Sequence, residues 1–331
     1  MKHVVTVIPG DGIGPEVVNA TTKVLDSMGL DFEWEKVELN SEIMQSTPSS
    51  IPQNICNLIK KNKIAVKGPI STPVGEGFTS PNVLIRQQLG LYASVRPAKS
   101  IGKFASTKKP LDIVTVRENT EDVYVARERG DSEEVIAEKV ITRLASERIA
   151  KYAFDLAIKM GRKKVTALHK ADILKKSDGL FISCCREVSK NYSKVVYAEA
   201  IVDSACMQLV LDPKEFDVIV APNMYGDIVS DIAAGIVGGL GLVGSANMGD
   251  DLAVYEAVHG SAPNIAGKNI ANPTGLLEAC VMMLYNIKEP QAAESLRAAI
   301  DKTLEQGAVL TPDLGGNAST TDFRDAIIAN L

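Results

Sequence analysis

The sequence predicts an α/β protein built around a largely parallel β-sheet. Short apolar runs rich in β-branched residues recur along the chain, and segments with helical periodicity separate them. The runs are VVTVI, KIAVKGPI, DIVTV, KVTALH, VVYAEAIV and FDVIVAPN. This alternation of strand and helix is typical of parallel sheets that are covered by helices. The chain has 331 residues, of which 45% are apolar, so it can bury the cores of two domains.

Two compositional seams predict how the domains are divided. They are RPAKS and a glycine-rich stretch at residues 235–249. They predict an outer domain of residues 1–97 and 240–331, into which a smaller domain of residues 98–239 is inserted. Within the inserted domain, residues 124–142 are charged and β-branched without helical periodicity. We expect this segment to form a protruding two-stranded arm.

The bulk composition argues against several kinds of partner. The net charge is −5 and acidic and basic residues are interspersed, so no basic stripe is available for nucleic acid. The five cysteines show no C-x-x-C spacing, which argues against structural zinc and disulfides. The most apolar run, residues 232–246, contains five glycines and is too short to span a bilayer. We therefore expect a cytoplasmic protein, or the mature form of a mitochondrial matrix protein, that binds neither nucleic acid nor membrane.

The stretch TSPNVLIRQQLG predicts a helix with a polar face. Ser80 followed by Pro81 is a typical helix start, with the serine as N-cap, and Gly90 is a suitable stop. Asn82 and Arg86 are four residues apart and share one face of that helix. Taken alone, the stretch is better explained as a capped surface helix with an exposed arginine.

Two further arginines favour a binding site over a surface helix. Arg96 follows the helix, and Arg117 ends the strand-like DIVTVR. A helix N-terminus, a hydroxyl group and three arginines together can bind a small polyanion such as a tricarboxylate.

Asp227 and Asp231, in PNMYGDIVSDIAAG, are four residues apart and share one face of a predicted helix. Unpaired, the two carboxylates would repel one another. One explanation is a helix with acids in its first turn. The other is a divalent cation, because carboxylate oxygens suit Mg²⁺ or Mn²⁺. Asp203, among apolar residues at the end of a predicted strand, is a candidate third ligand.

Acid–base chemistry in this chain is expected to use side chains other than histidine, because only three histidines are present. Lys170, in TALHKADIL, and Tyr124, in ENTEDVY, are the candidates. Each residue on its own is better explained as a surface lysine or a packed tyrosine.

Taken together, the motifs resemble the β-decarboxylating 2-hydroxyacid dehydrogenases, the family of isocitrate, homoisocitrate and 3-isopropylmalate dehydrogenases. The resemblance covers essentially the whole chain and rests on IPGDGIGPE, TPVGEGFTSPNVLIRQQLGLYASVRP, VRENTEDVY, HKADIL, APNMYGDIVSD, HGSAPNIAGKNIANPTG and TPDLGGNAST. It implies the isocitrate/isopropylmalate dehydrogenase-like two-domain fold, which is not a Rossmann fold. GDGIGPE lacks the third glycine of a dinucleotide-binding loop, because Pro15 stands in its place. We expect this loop to be structural or to border the cofactor.

The resemblance also implies a role for each candidate residue. The substrate carboxylates would be bound by Ser80, Asn82, Arg86, Arg96 and Arg117. Protons would be transferred by Tyr124 and Lys170, and Mg²⁺ or Mn²⁺ would be bound by Asp203, Asp227 and Asp231. NAD would be bound by Thr72, Asn223, His259, Gly260, Ser261, Ala262, Asn264, Ile265 and Asn272. The outer domain would bind the cofactor, and the inserted domain would carry dimerisation, metal and catalytic residues.

A few side chains decide the expected substrate and cofactor within this family. A serine followed two positions later by an asparagine, as in Ser80 and Asn82, is similar to isocitrate enzymes, because both side chains can hydrogen-bond the γ-carboxylate. NAD-linked members have Asp-Ile where this chain has Asn264 and Ile265, whereas NADP-linked members commonly have Lys-Tyr. Asp172 departs from the family pattern, because relatives commonly have an asparagine at this position beside the nicotinamide.

The expected reaction is oxidative decarboxylation of isocitrate to 2-oxoglutarate and CO₂ with reduction of NAD; homoisocitrate and 3-isopropylmalate are alternative substrates. In the family, the residues matching Lys170 and Asp203 reach into the neighbouring subunit's site, so a homodimer with shared active sites, or a higher oligomer, is expected.

An alternative from another class is a non-catalytic regulatory subunit of a heteromeric isocitrate dehydrogenase. Such subunits lose catalytic residues that this chain retains.

Overall fold

The computed structural model describes residues 2–47, 49–72, 79–107 and 109–331, so residues 73–78 of the TPVGEGF stretch lie outside the described residues. The described strands are β1 (His3–Ile8), β2 (Phe32–Lys36), β3 (Ile64–Lys67), β4 (Ala93–Lys99), β5 (Asp112–Glu118), β6 (Glu128–Gly130), β7 (Val135–Ala137), β8 (Lys164–His169), β9 (Val196–Ile201), β10 (Val218–Ala221), β11 (Gly244–Met248) and β12 (Ala253–Ala257). The described α-helices are α1 (Gly14–Asp26), α2 (Ser41–Ser46), α3 (Gln53–Asn62), α4 (Pro81–Gln88), α5 (Arg143–Lys159), α6 (Ser177–Ser189), α7 (Val202–Leu211), α8 (Asn223–Val237), α9 (Thr274–Asn286), α10 (Pro290–Gln306) and α11 (Thr320–Asn330).

The first of two compact units comprises Met1–Leu91, Ile101–Ser106 and Gly238–Leu331. Its strands lie in the order β2-β1-β3-β12-β11, and the neighbours are parallel except for the antiparallel pair β11 and β12. One face of this sheet is covered by an apolar cluster in which α3 and α4 contribute Ile55, Ile59, Leu84 and Ile85. The apolar runs are strands because β-branched side chains pack well on a pleated surface.

The second unit comprises Tyr92–Ser100 and Thr107–Val237. Its main sheet has the strand order β4-β5-β10-β8-β9, in which β4 runs antiparallel to β5 and the other neighbours are parallel. Helix α5 packs on β5 and β10, with Ile149, Ala153 and Phe154 completely buried. The predicted α/β class with a largely parallel sheet is confirmed in both units.

The candidate functional residues follow the carboxyl ends of parallel strands. In the second unit, Arg117 lies near the end of β5, Asn223 follows β10, Lys170 follows β8 and Asp203 follows β9. In the first unit, β1 leads into GDGIGPE, β3 into the segment that contains Thr72, and β12 into HGSAPN. Ligands of α/β proteins bind where such loops meet, outside the carboxyl ends of the strands. The fold therefore gathers the motifs of each unit at one edge of its sheet.

The predicted seams are themselves partly strands. RPAKS lies largely in β4, whose seven residues pair in register with β5 from Ala93 opposite Glu118 to Lys99 opposite Asp112. Because of that pairing, the second unit begins at Tyr92 rather than after residue 97, and residues 101–106 belong to the first unit again. The glycine-rich stretch contains β11. The six apolar runs identified from the sequence all form strands, whereas β2, β4, β11 and β12 were not predicted.

The segment predicted as an arm contains a two-stranded antiparallel ribbon, β6 paired with β7. All six residues of these two strands are exposed. The segment returns to the body of the unit where Val140 forms an antiparallel bridge with Asp122.

Neither a membrane-spanning helix nor a disulfide bond is found among the described residues. Across the part of the chain that the structure describes, no helix is long and apolar enough to cross a membrane. The five cysteines are free thiols, and Cys184 and Cys185 are buried in α6.

Candidate functional site

Helix α4 begins where the sequence predicts, but its N-cap serine does not cap it. Pro81 is the first helical residue, and the Ser80 side chain makes no hydrogen bond to the helix N-terminus. The Ser80 hydroxyl instead lies 3.2 Å from the Thr72 hydroxyl. The prediction of a side-chain cap is therefore wrong, because this hydroxyl faces a neighbouring loop. Asn82 Oδ1 is buried and has no hydrogen-bond partner, so it is available to a bound group.

Arg86 is buried rather than exposed, which contradicts the surface-helix explanation. Its Nη2 donates to Glu256 Oε1 at 3.2 Å, and Asn247 Nδ2 donates to the same oxygen at 2.7 Å. Lys67 Nζ lies 2.6 Å from the other carboxylate oxygen of Glu256. Burial alone raises the pKa of Glu256, but Lys67 and Arg86 lower it further than burial raises it, so the carboxylate stays ionised. Arg86 Nε has no partner and remains a free donor.

The GDGIGPE loop supports the HGSAPN loop instead of forming a dinucleotide-binding turn. Ile13 N donates to the Ser261 carbonyl oxygen at 2.9 Å, and a side chain at Gly12 would overlap that same oxygen. The Asp11 carboxylate accepts hydrogen bonds from the backbone N–H groups of Ser71 at 2.8 Å and Ser41 at 3.0 Å. Gly12 has a φ of +57°, a conformation that glycine adopts without strain. The loop is a structural support for its neighbours.

Glu16, in the first turn of α1, anchors the far end of the predicted cofactor loop. Its carboxylate accepts the backbone N–H groups of Asn269 at 3.1 Å and Ala271 at 2.8 Å. The Thr320 hydroxyl also donates to it. The loop from residue 259 to residue 273 is therefore fixed at both ends by the helix and loop that follow β1.

The predicted cofactor residues of the first unit lie along this loop. His259 Nε2 is buried and has no partner, and burial lowers the pKa of the imidazole so that it is neutral near pH 7. Asn272 is buried and donates to Asp313 Oδ2 at 3.0 Å. The other predicted residues are exposed or half-buried around the 3₁₀ turn Pro263–Ile265: Gly260, Ser261, Ala262, Asn264 and Ile265.

Asp227 is the centre of the candidate site in the second unit. Arg117 Nη1 donates to its Oδ1, Arg96 Nη1 lies 3.2 Å from the same oxygen, and the Tyr124 hydroxyl donates to Oδ2. Arg117 and Arg96 are both buried. The Arg117 guanidinium also lies 4.9 Å from the centre of the Tyr124 ring. Two predicted substrate ligands and one predicted proton donor thus meet at one predicted metal ligand.

Asp231 and Asn223 flank this centre on α8. Asp231 Oδ1 lies 3.5 Å from Arg96 Nη1, and its side chain is 55% exposed. Partial burial raises the pKa of Asp231, Arg96 lowers it and the charge of Asp227 raises it, with a net increase. Asn223 Oδ1 accepts from Arg117 Nε at 2.9 Å, so this predicted cofactor residue is placed as a support for the arginine.

Lys170 and Asp203 form an exposed ion pair. Lys170 Nζ lies 2.6 Å from Asp203 Oδ1 and 3.4 Å from Asp172 Oδ2. The hydrogen bond with Asp203 is the main reason that the pKa of Lys170 is raised and that of Asp203 is lowered. Asp172, which departs from the family pattern, thus contacts the predicted catalytic lysine.

The structure does not bring all three predicted metal ligands together within one chain. Among the described residues, no group of three or more His, Cys, Asp or Glu side chains is placed to hold a metal ion. Asp227 and Asp231 share one helix, whereas Asp203 is paired with Lys170. Sequence reasoning also missed Glu256, which fixes Arg86, together with Lys67 and Asn247, which bind the Glu256 carboxylate. The only signal for Glu256 was an acid just before HGSAPN in an apolar run.

Comparisons with known proteins agree with the fold and the motifs. Residues 4–327 match the family described as isocitrate/isopropylmalate dehydrogenase. The mitochondrial catalytic subunit 5 of NAD isocitrate dehydrogenase from Arabidopsis thaliana is 47% identical over 328 residues, which cover 98% of this chain and 88% of that protein. A 3-isopropylmalate dehydrogenase from Archaeoglobus fulgidus is 46% identical over 331 residues, which cover 100% of both chains. The crystal structure of isocitrate dehydrogenase from Methylococcus capsulatus matches with a TM-score of 0.94, at 45% identity and 99% coverage of both chains.

Proposed function

The chain belongs to the isocitrate/isopropylmalate dehydrogenase family, and on that premise we propose that it is an NAD-dependent isocitrate dehydrogenase. The reaction is the metal-dependent oxidative decarboxylation of isocitrate to 2-oxoglutarate and CO₂. The observation that supports it best is the convergence of Arg96, Arg117 and Tyr124 on Asp227, because it combines anion-binding, proton-donating and metal-binding groups. The first unit would bind the cofactor, and the second would carry the metal and catalytic residues.

The arginines are the groups that would bind the substrate carboxylates. A guanidinium presents several N–H donors in a fixed plane, which match the oxygens of a carboxylate. Nε of Arg86 and Nε of Arg96 are buried without a partner. Buried donors of this kind are costly unless a ligand completes their hydrogen bonds. Glu256 orients Arg86, and Asn223 orients Arg117, so the donors are held in place before substrate binds.

The residues present fit the divalent cation and the NAD that the family implies. Asp227 and Asp231 offer carboxylate oxygens on one helix face, which are the ligands that Mg²⁺ and Mn²⁺ prefer. His259 is neutral and half-buried, its Nδ1 lies 3.0 Å from the Gly260 carbonyl oxygen, and its buried Nε2 has no partner, so Nε2 is a suitable contact for NAD. When bound, the cation would acidify the substrate hydroxyl and offset the charge that develops as CO₂ leaves, and NAD would accept the hydride.

Lys170 and Tyr124 would then move the protons. While Asp203 holds it, Lys170 stays a cation, because that hydrogen bond raises its pKa. Lys170 would lose this pair where Asp203 binds the cation, and the neighbouring positive charge would then lower its pKa so that it can take the proton of the substrate hydroxyl. The Tyr124 hydroxyl, with its proton directed at Asp227 and its ring against Arg117, would return a proton to carbon after decarboxylation.

Asn82 supports isocitrate over 3-isopropylmalate. Its side-chain amide N–H can donate to the γ-carboxylate of isocitrate, whereas the apolar chain of 3-isopropylmalate offers that donor no acceptor. Homoisocitrate enzymes often carry an apolar residue at the position of Asn82, which argues against homoisocitrate. The assay that tests this measures NAD reduction by the purified protein with Mn²⁺ and each of isocitrate, homoisocitrate and 3-isopropylmalate. We expect kcat/KM to be highest for isocitrate; a higher value for either other substrate would refute the assignment.

A pair of matched variants tests the role of Asn82 directly. Asn82→Ile should cost about 1–3 kcal/mol in transition-state binding of isocitrate, because a polar partner of a charged group is lost. Asn54→Ile is the control, because Asn54 is also the second residue of a helix but is exposed. The control should keep the wild-type kcat/KM. Equal losses in both variants would show that the effect is one of helix stability.

NAD is the proposed cofactor because Asn264 and Ile265 replace the Lys-Tyr pair of NADP-linked members. An asparagine can accept hydrogen bonds from ribose hydroxyls but does not repel a 2′-phosphate. Asn264→Asp should therefore sharpen the preference for NAD, as measured by steady-state rates with both cofactors. A preference of the unmodified protein for NADP would contradict the proposal.

The proposed homodimer is supported by an exposed apolar stripe on α7. Met207, Val210 and Leu211 are 56%, 52% and 59% exposed, and helical spacing puts Asp203 and Met207 on one face. A second copy of the chain that covers this stripe would bury the apolar side chains and place Asp203 and Lys170 at a subunit contact.

Complementation between two inactive variants tests the shared sites. Lys170→Met removes the proton acceptor and Arg117→Ala a carboxylate ligand, so each variant alone should be nearly inactive. After co-refolding, about half of the dimers would be mixed and would carry one complete site of two, which gives roughly a quarter of wild-type activity. If verified mixed dimers show no recovery, Lys170 serves its own chain.

A non-catalytic regulatory subunit remains the second candidate class. Tyr124, Lys170 and the three aspartates argue against it, because such subunits lose catalytic residues. Turnover by the purified chain alone decides between the two. A cytoplasmic location stays a prediction, because the Arabidopsis thaliana relative is mitochondrial.

A further inference from the structure

A buried ion cluster in the second unit lies beside the proposed catalytic residues without including them. Asp122 and Asp178 are completely buried, and the side chain of Lys139 is 12% exposed. Lys139 Nζ lies 2.7 Å from Asp178 Oδ1, 3.8 Å from Asp122 Oδ1 and 4.1 Å from the centre of the Tyr225 ring. Buried charges persist only when they are paired and hydrogen-bonded, so one lysine balances two acids here with help from nearby donors.

The Asp178 end of the cluster fixes the backbone of Lys170. Asp178 Oδ2 accepts the Lys170 backbone N–H at 2.6 Å. The Lys170 carbonyl oxygen in turn accepts the N–H groups of Ile173 at 3.0 Å and Leu174 at 2.7 Å. A fully buried carboxylate therefore holds the backbone of Lys170, whereas the ammonium group at the end of the side chain lies at the surface.

The Asp122 end fixes the turn that carries Tyr124. The Asp122 carboxylate accepts the N–H of Val123 at 2.8 Å, and Val123 begins the 3₁₀ turn Val123–Val125. It also accepts the N–H of Met224 at 3.0 Å, at the start of the helix that carries Asp227. Asp122 has a φ of +73° and a ψ of −151°, a conformation that non-glycine residues keep only where their surroundings impose it.

We propose that Lys139 is a positioning residue, which joins Asp122 to Asp178 and thereby fixes the turn that carries Tyr124 and the backbone of Lys170, each in the active site that it serves. The inference rests on the proposed function only in taking Tyr124 and Lys170 as the proton-transfer groups. Lys139 follows β7, so the returning strand of the arm delivers this cation to the cluster. Without it, two buried carboxylates would repel each other, and the segments that they hold would move apart. Displacements near 1 Å in an active site lower rates by about 100-fold.

The test compares two Lys→Met substitutions in the full-length protein. Lys139→Met keeps the length of the side chain and removes its charge. Lys151→Met is the matched control, because Lys151 also pairs with an aspartate, Asp155, at 2.6 Å, but on the surface of the same unit. The measurements are kcat, KM and the deuterium isotope effect on kcat, with substrate labelled at the carbon that loses hydride.

For Lys139→Met we expect kcat to fall by about 10- to 100-fold, with KM within about twofold because the substrate-binding arginines are untouched. The isotope effect should rise, because hydride transfer is coupled to proton removal and becomes slower than the other steps. A merely structural role would reduce the amount of active protein and leave the isotope effect unchanged, which would overturn the proposal. Wild-type kcat in Lys139→Met would overturn it as well.

Two further variants keep the proposal testable if Lys139→Met does not fold. Lys139→Met combined with Asp178→Asn removes one charge of each sign, and the amide oxygen can still accept the Lys170 N–H. The repulsion is then relieved but the link between the two segments is still missing, so a fall in kcat and a rise in isotope effect relative to wild type are expected. Lys139→Arg keeps the cation and should recover part of the lost kcat. The assays use whichever of isocitrate, homoisocitrate and 3-isopropylmalate the wild type oxidises fastest. A different preferred substrate would thus refute the proposed function without deciding the role of Lys139.

Discussion

Gly226 lets α8 pack closely against the strand that carries Arg117, and Gly226→Ala tests how far the site depends on that close packing. A Cβ at position 226 would lie 2.7 Å from both Cβ and Cγ of Arg117. Ordinary contact between such atoms begins near 3.4 Å, so the two elements would have to separate by roughly 0.7 Å. The crowded atoms are at the base of the arginine side chain, so a change of rotamer alone does not relieve the overlap.

The size of the effect follows from comparison with a second glycine of the same helix. Forcing extra atoms into a packed contact costs about 1–3 kcal/mol. Alanine in place of a helical glycine also stabilises the helix by about 0.5–1 kcal/mol. A Cβ at position 235 would meet nothing within 4 Å, so Gly235→Ala should show only the stabilisation of the helix. The two variants should therefore differ by about 1–3 kcal/mol in the free energy of unfolding.

This separation of the two elements should impair catalysis in Gly226→Ala but not in Gly235→Ala. Arg117 would move away from Asn223 and Asp227, and kcat/KM for isocitrate should fall by about 10- to 100-fold. Urea unfolding measures the stabilities, and steady-state NAD reduction measures the activities. Equal stability and equal activity of Gly226→Ala and Gly235→Ala would refute the reasoning, because the contact at position 226 would then be loose enough to accept a methyl group.

Three further predictions follow from buried or partly buried charges. Glu256→Gln leaves Lys67 and Arg86 as buried cations without a counter-charge, so urea unfolding should show a loss of about 3–5 kcal/mol; a loss below about 1 kcal/mol would contradict this. Because the pKa of Glu256 is lowered in the folded state, the advantage of wild type over Glu256→Gln should be complete at neutral pH and shrink as the pH falls below the ordinary value of 4.5. Burial lowers the pKa of His259 below 6.5, so wild type should lose stability as the pH falls through that value, and His259→Asn should lose less over the same range in thermal melts. Asp231→Asn should weaken Mn²⁺ binding at least about tenfold by calorimetry, and chelation of the metal should abolish turnover in wild type; unchanged Mn²⁺ affinity would exclude Asp231 as a ligand.

Local features of the sequence were sufficient to predict much of the fold and of the candidate site. Six apolar runs became strands, because β-branched side chains favour a pleated surface whatever their partners are. Pro81 began its helix, because its fixed φ and missing N–H suit the first helical position. Asp227 and Asp231 shared a helix face, because helical spacing alone brings residues four apart together.

Weak strands and charge partners could not be predicted in the same way. Strand β4 contains a proline and two cationic side chains, and it is a strand because its backbone pairs with β5. The hydroxyl of Ser80 has the chemistry of a cap, yet it turns to Thr72, which the spacing of residues along one helix does not reveal.

The sequence by itself therefore determined the candidate side chains for chemistry and the most strongly patterned helices and strands, since both depend on residue type and short-range spacing. Only the tertiary structure decided which charges meet. Arg86 pairs with Glu256 across 170 residues of chain, and Lys139 reaches two buried aspartates on either side of it in sequence. Such pairs form because folding removes charged groups from water, and a buried charge must then find its partner wherever the chain brings one within reach.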